Sequence, residues 1–162
     1  MKIAVMVFLA ILLSTVPLFA VEYQIDVVRQ GGNLYWAETE KMYIQTEYCF
    51  EDSDSAAVTL RMDGDRGVMS FKESGGQCDV KMIYGRGQLE AGEYLIKVSR
   101  EDDDWYKIVD EQVALNTDGC FSLVDNMEAS LLINEDGTGT LSLHEADEKC
   151  AVTGVYSKGQ LQ

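Results

Sequence analysis

Glu22-Tyr23-Gln24-Ile25-Asp26-Val27-Val28-Arg29 decides the fold, because it recurs as Glu93-Tyr94-Leu95-Ile96-Lys97-Val98-Ser99-Arg100. In both stretches Tyr, Ile and Val fall on alternate positions. A period of two places them on one face of a strand, with the opposite face left to the residues between. A recurrence of this kind signals a repeat architecture, which has to be recognised before any other feature is weighed.

Working outward, Cys49-Phe50 returns as Cys120-Phe121, and Ala56-x-Val58-x-Leu60 ahead of Asp63-Gly64 returns as Ala129-x-Leu131-x-Ile133 ahead of Asp136-Gly137. Cys78-x-Val80 returns as Cys150-x-Val152. Tyr84 with Gly87-Gln88-Leu89 returns as Tyr156 with Gly159-Gln160-Leu161. The expected fold is all-β: two tandem homologous antiparallel modules of ~70 residues, 21–89 and 93–162, joined by Glu90-Ala91-Gly92. A linker this short leaves little freedom, so the modules are expected to pack together about a pseudo-twofold axis. What both copies keep reads as architecture; what one copy alone carries is free for function.

Strands are expected at about Glu22–Arg29, Asn33–Ala37, Lys41–Phe50, Ala56–Met62, Gly67–Glu73 and Gln77–Gly85. In the second copy they fall at Glu93–Arg100, Trp105–Val109, Gln112–Phe121, Ala129–Asn134, Gly139–Glu145 and Lys149–Ser157. Gly64 and Gly137 sit in tight connections whose geometry calls for positive φ.

Met1–Ala20 has the form of a cleaved export signal: Lys2, an apolar core at Ile3–Leu13, and the small Ala20 at the cut. The expected location is therefore periplasmic or extracellular, with no membrane-spanning segment after cleavage. Export makes sense of the 4 cysteines, an even set suited to disulfides. A duplicated module keeps its own staple, which selects Cys49–Cys78 and Cys120–Cys150 from the three possible pairings.

The formal charge is −15. Glu22–Leu89 carries 12 acidic and 7 basic residues, and Glu93–Leu161 carries 15 and 5. Such a field repels phosphate backbones and attracts cationic partners, so nucleic acid is excluded and a basic protein is the expected partner.

Catalytic signals are weak. The 1 His of the chain, His144, lies in an expected strand beside core-facing Leu143 and is expected to face solvent. No nucleophile elbow, phosphate loop or zinc helix motif occurs, and with so many carboxylates a glycosidase-like pair carries no information. Neither a cofactor nor a metal site is expected. Glu101-Asp102-Asp103-Asp104 is the densest acidic run, but it aligns with the plain turn Gln30-Gly31-Gly32-Asn33 and lacks a calcium-loop pattern. Met42, Met62, Met69 and Met82 read as core packing rather than copper ligands. Trp36 and Trp105 flank the shared Tyr35 and Tyr106 on opposite sides; core packing is the first reading of both, while an inward Tyr would put them on the outer face, exposed for a sugar or a protein partner.

The sequence thus describes an exported, disulfide-stapled binding protein and not an enzyme. It is expected to engage a cationic protein, as an inhibitor or immunity protein does, with Asp102, Asp103, Asp104, Trp36 and Trp105 as candidate contacts. The alternative is a carbohydrate- or envelope-binding module built on the tryptophans, and the third class is a carboxylate hydrolase.

Overall fold

The computed structural model describes residues 20–52, 54–64 and 66–159. The expected leader as far as Phe19, and Gln160-Leu161 of the expected repeat, lie outside the described residues. All regular structure among the described residues is β. The twelve strands are β1 (Val21–Gly31), β2 (Leu34–Ala37), β3 (Met42–Glu47), β4 (Ala56–Asp63), β5 (Arg66–Phe71), β6 (Gln77–Arg86), β7 (Gly92–Asp102), β8 (Trp105–Ile108), β9 (Val113–Asp118), β10 (Met127–Ile133), β11 (Gly139–Leu143) and β12 (Glu148–Lys158).

The first six strands run β5-β4-β1-β2-β3-β6 and close through β5–β6, which makes a six-stranded antiparallel barrel. The last six run β11-β10-β7-β8-β9-β12 and close through β11–β12. Adding six to each strand number converts one order into the other.

The alternation read from sequence gives each barrel its interior. Val27, Tyr35, Val58, Leu60 and Met69 fill the first, and Val98, Tyr106, Leu131, Leu141 and Leu143 the second. Tyr23, Tyr94 and Ile96 are half-buried at the ends of these faces. Each core includes a disulfide. Cys49–Cys78 has its Cα atoms 5.3 Å apart and Cys120–Cys150 5.2 Å, so each bridge staples its own barrel. Gly64 and Gly137 have φ of 62° and 80°, as their turns require.

The third strand of each barrel is shorter than expected. β3 stops at Glu47 rather than Phe50, and β9 at Asp118 rather than Phe121. The reason is local: Tyr48 has φ +50° and Gly119 φ +80°, and a left-handed residue cannot continue a ladder. The cysteine and the phenylalanine after it therefore belong to a loop.

The barrels join along β6 and β12, where Tyr156, Ser157 and Lys158 pair with Arg86, Gly85 and Tyr84. Two main-chain bonds frame the junction: Gly87 N donates to Val155 O (2.9 Å) and Gly159 N to Ile83 O (2.8 Å). Glycine is needed at both ends because backbone crosses backbone. A Cβ on Gly87 would lie 3.0 Å from Ser157 N, and one on Gly159 would lie 2.8 Å from Gly85 N.

Candidate functional site

Outside the two interiors lies a third apolar cluster, made of side chains from the outer faces of both barrels. Leu34 and Tyr84 come from the first, and Trp105, Ala114 and Tyr156 from the second, with Tyr43 and Met82 packed against them. Trp105 is its centre, with ring centroids 4.9 Å from Tyr43, 5.4 Å from Tyr84 and 5.0 Å from Tyr156. The bulky Trp105 sits beside the small Ala114, which is how a tight interface accommodates an indole. Tyr43 and Tyr84 are both pushed up to about 12. Burial is the main cause in each; the neighbouring Tyr156 adds to it for Tyr43, and the charge of Glu101 adds to it for Tyr84.

Its burial agrees with the core reading of Trp105 and removes it as an exposed contact. The alternation is as read, since Tyr35 and Tyr106 point inward and are fully buried. But the outer face that carries Trp105 is covered by the other barrel, leaving the indole 1 % exposed. It is an interface residue and not a surface anchor. Trp36 is half-buried, packed 4.6 Å from Tyr43 with the Lys41 ammonium 6.0 Å from its ring.

The acidic run is divided in the same way. Its aligned turn, Gln30–Asn33, is also its spatial neighbour. Asp102 Oδ2 accepts from Asn33 N at 2.8 Å, and a Cβ on Gly32 would fall 2.1 Å from Asp102 Oδ1. Glu101 pairs with Lys81 and accepts from the buried Gln45 side chain at 3.3 Å. Glu101 and Asp102 therefore clamp the barrels together, while Asp103 and Asp104 are exposed. Asp102, Asp103, Asp104 and Trp105 line a cleft of about 220 Å³ with Gly31 and Tyr43.

The basic residues at this end are turned inward. Arg29 donates twice to Gly32 O. Arg100 donates to the carbonyls of Asp102, Asp103 and Phe121. Their remaining ion pairs, Arg29–Asp52 at 3.8 Å and Arg100–Asp103 at 3.7 Å, involve carboxylates that stay 94 % and 82 % exposed. The result is a negative surface whose neighbouring arginines are half-buried and engaged with carbonyls.

Two loops border this surface. Residues 48–52 follow β3 and residues 119–126 follow β9. Each is pinned from below: Tyr35 OH donates to Glu51 O (2.8 Å) and Tyr106 OH to Ser122 O (3.0 Å). Burial raises the pKa of both hydroxyls. Cys49 N donates to Asn33 Oδ1, which ties the first loop to the turn that receives Asp102. The Glu148 carboxylate accepts from Phe121 N and Ser122 N at 2.9 and 3.0 Å. The bonds from Ser122 and Phe121 hold its carboxyl below the ordinary range.

These loops carry residues that sequence reasoning did not single out. Tyr48, Phe50, Phe121 and Leu123 are 87, 75, 78 and 87 % exposed. The signal was present in the shared Cys-Phe pairs, but shared residues were assigned to the core. Among the described residues, the grouping with metal-like spacing is Cys120, Glu148 and Cys150; its sulfurs form the disulfide and its carboxylate holds the loop. Ser130 Oγ and His144 Nε2 are 2.7 Å apart on the outside of the second barrel. His144 faces solvent as expected, and no hydrogen bond to its other ring nitrogen occurs among the described residues, so the third member of a triad is missing there. Leu95 and Leu132 on that same outer face flank a shallow depression of about 620 Å³.

No family model, curated protein or solved structure matches the chain.

Proposed function

We propose that the chain is an exported, duplicated β-barrel protein whose work is to bind a cationic protein, in the manner of an inhibitor or immunity protein, without catalysis. The observation that carries this is the inversion of charge where the barrels meet. Arg29, Arg100 and Lys81 are engaged with carbonyls and Glu101, while Asp52, Asp103 and Asp104 face water. A −15 chain with such a face draws cationic partners in and steers their approach.

Duplication with a pseudo-twofold relation is part of the same proposal. It is supported by the matching strand orders, by the exchanged bonds Gly87–Val155 and Gly159–Ile83, and by the matched Tyr35–Glu51 and Tyr106–Ser122 bonds. The carbohydrate reading is the weaker one, because Trp105 is buried and Trp36 is packed on Tyr43.

The test is the salt dependence of association with a basic protein. Association slows steeply as ionic strength rises, since exposed charges are screened over about 8 Å at physiological salt. Asp103→Asn with Asp104→Asn lowers the on-rate and leaves the off-rate nearly unchanged. An on-rate indifferent to both salt and these substitutions removes the electrostatic reading.

A further inference from the structure

Four large apolar side chains at the rim of the acidic surface have no role in the fold. Phe50 and Tyr48 stand out of the first loop, and Phe121 and Leu123 out of the second. The loops that carry them are anchored to the barrels. Each loop is covalently held at Cys49 or Cys120 and hydrogen-bonded beneath by Tyr35, or by Tyr106 and Glu148. Held at these points, the loops present the four side chains away from the core. Cys49 and Cys120 are 1 % exposed, while the residue after each stands in water.

Both loops abut the point where the barrels touch. Tyr48 shares a recess of about 260 Å³ with Asn33, Lys81 and Glu101, so the first loop lies against the acidic run of the second barrel. The second loop hangs from Arg100, which also holds the Asp102 and Asp103 carbonyls. The apolar prongs thus border the same end as Asp103 and Asp104. Residues 47–55 and 118–126 contain six carboxylates and no Lys or Arg.

We infer that the 48–52 and 119–126 loops form a two-pronged docking surface for a protein segment that intersperses basic with apolar side chains. This rests on the cationic-partner reading and specifies what that partner presents. Preformed, rigid, exposed aromatics are the residues that bury most on association at the lowest ordering cost. The carboxylates between them select a cationic rim on the partner and repel anionic lipid and nucleic acid.

The experiment uses the mature, disulfide-bonded protein and two synthetic peptides of equal length, oligolysine and one interspersing Lys with Leu. Binding is measured by fluorescence anisotropy at low salt. The Lys/Leu peptide is expected to bind at least tenfold tighter than oligolysine. Phe50→Ser with Phe121→Ser abolishes that advantage and leaves oligolysine binding unchanged, and Tyr48→Ser with Leu123→Ser acts in the same direction. Circular dichroism melts should be near wild type, since all four side chains are in solvent. If oligolysine binds but the Lys/Leu peptide is no tighter, or the Phe variant equals wild type, the docking surface is wrong while the electrostatic reading survives. If neither peptide binds, the cationic-partner reading itself fails. Phe-dependent uptake on phosphatidylcholine vesicles without peptide binding assigns the prongs to a membrane and overturns the proposal.

Discussion

Asp102, at the end of β7, accepts a 2.8 Å hydrogen bond from the main-chain nitrogen of Asn33, in the turn that follows β1 of the other barrel. The carboxylate fits because residue 32 has no side chain; Gly32 has φ +31° and lies directly under it. An acidic side chain from one barrel and a glycine from the other therefore make a single contact, and the turns at 30–33 and 101–104 meet in space.

Asp102→Ala leaves the Asn33 amide without this partner in a half-buried setting. The expected loss is about 1–2 kcal/mol, read as a lower urea midpoint. Asp103→Ala, in solvent, should shift the midpoint far less. Equal midpoints for the two variants would show that the clamp contributes nothing.

Trp105→Ala empties the centre of the inter-barrel cluster and should destabilise by about 3–5 kcal/mol. Trp36→Ala removes a half-buried ring and is expected to cost much less. The comparison is made by guanidinium unfolding followed by circular dichroism, and a Trp105 variant as stable as the Trp36 one would contradict its placement.

Each disulfide closes a loop with sequence separation 29 or 30. The chain-entropy model values a loop of that size at about 3–4 kcal/mol. Cys49→Ala with Cys78→Ala should lower the melting temperature by a corresponding amount, and so should the Cys120/Cys150 pair. Peptide mapping without reduction should return only within-barrel bridges; a Cys49–Cys120 or Cys49–Cys150 peptide would be incompatible with two separately closed barrels.

Tyr43 and Tyr84 define an alkaline limit. Their hydroxyls ionise near 12 in the fold against 10.0 for an ordinary tyrosine. Between those values the unfolded chain has released the proton and the folded one retains it, so the unfolded state binds fewer protons and stability falls as pH rises. The contribution is intact below about pH 10 and is lost as pH climbs towards about 12. Melts across that window should show the decline, and Tyr84→Phe should flatten it. A melting temperature constant through the window, or the same slope in the variant, would rule out this coupling.

Much of the fold was legible because alternation and recurrence are local. Tyr23, Ile25 and Val27 announced a strand face, and the recurrence of the cysteines selected their pairing. Trp105 was harder for a physical reason: period-two alternation gives the side of a strand but not what lies beyond it, and here a second barrel covers the outer face. Asp102 was misjudged in the same way, as an exposed turn acid. The loop side chains were lost for the opposite reason. Recurrence was equated with burial, yet Phe50 and Phe121 recur and stand in water, because the left-handed residues Tyr48 and Gly119 end the strands before them. A positive φ at a tyrosine cannot be read from sequence alone, whereas Gly119 offered a signal that β9 would stop early.

Closure through β5–β6 and β11–β12 has a further consequence. With β6 and β12 also joined, every strand among the described residues has a strand neighbour on each flank over part of its length, and neither barrel ends in a strand paired on one side alone. Closure commits most main-chain donors and acceptors to the ladders and leaves only short one-sided stretches of β1 and β7, which limits strand addition by a peptide or a second copy. Closed barrels of this kind favour recognition through side chains and loops, which substitution can alter without disturbing the barrel beneath.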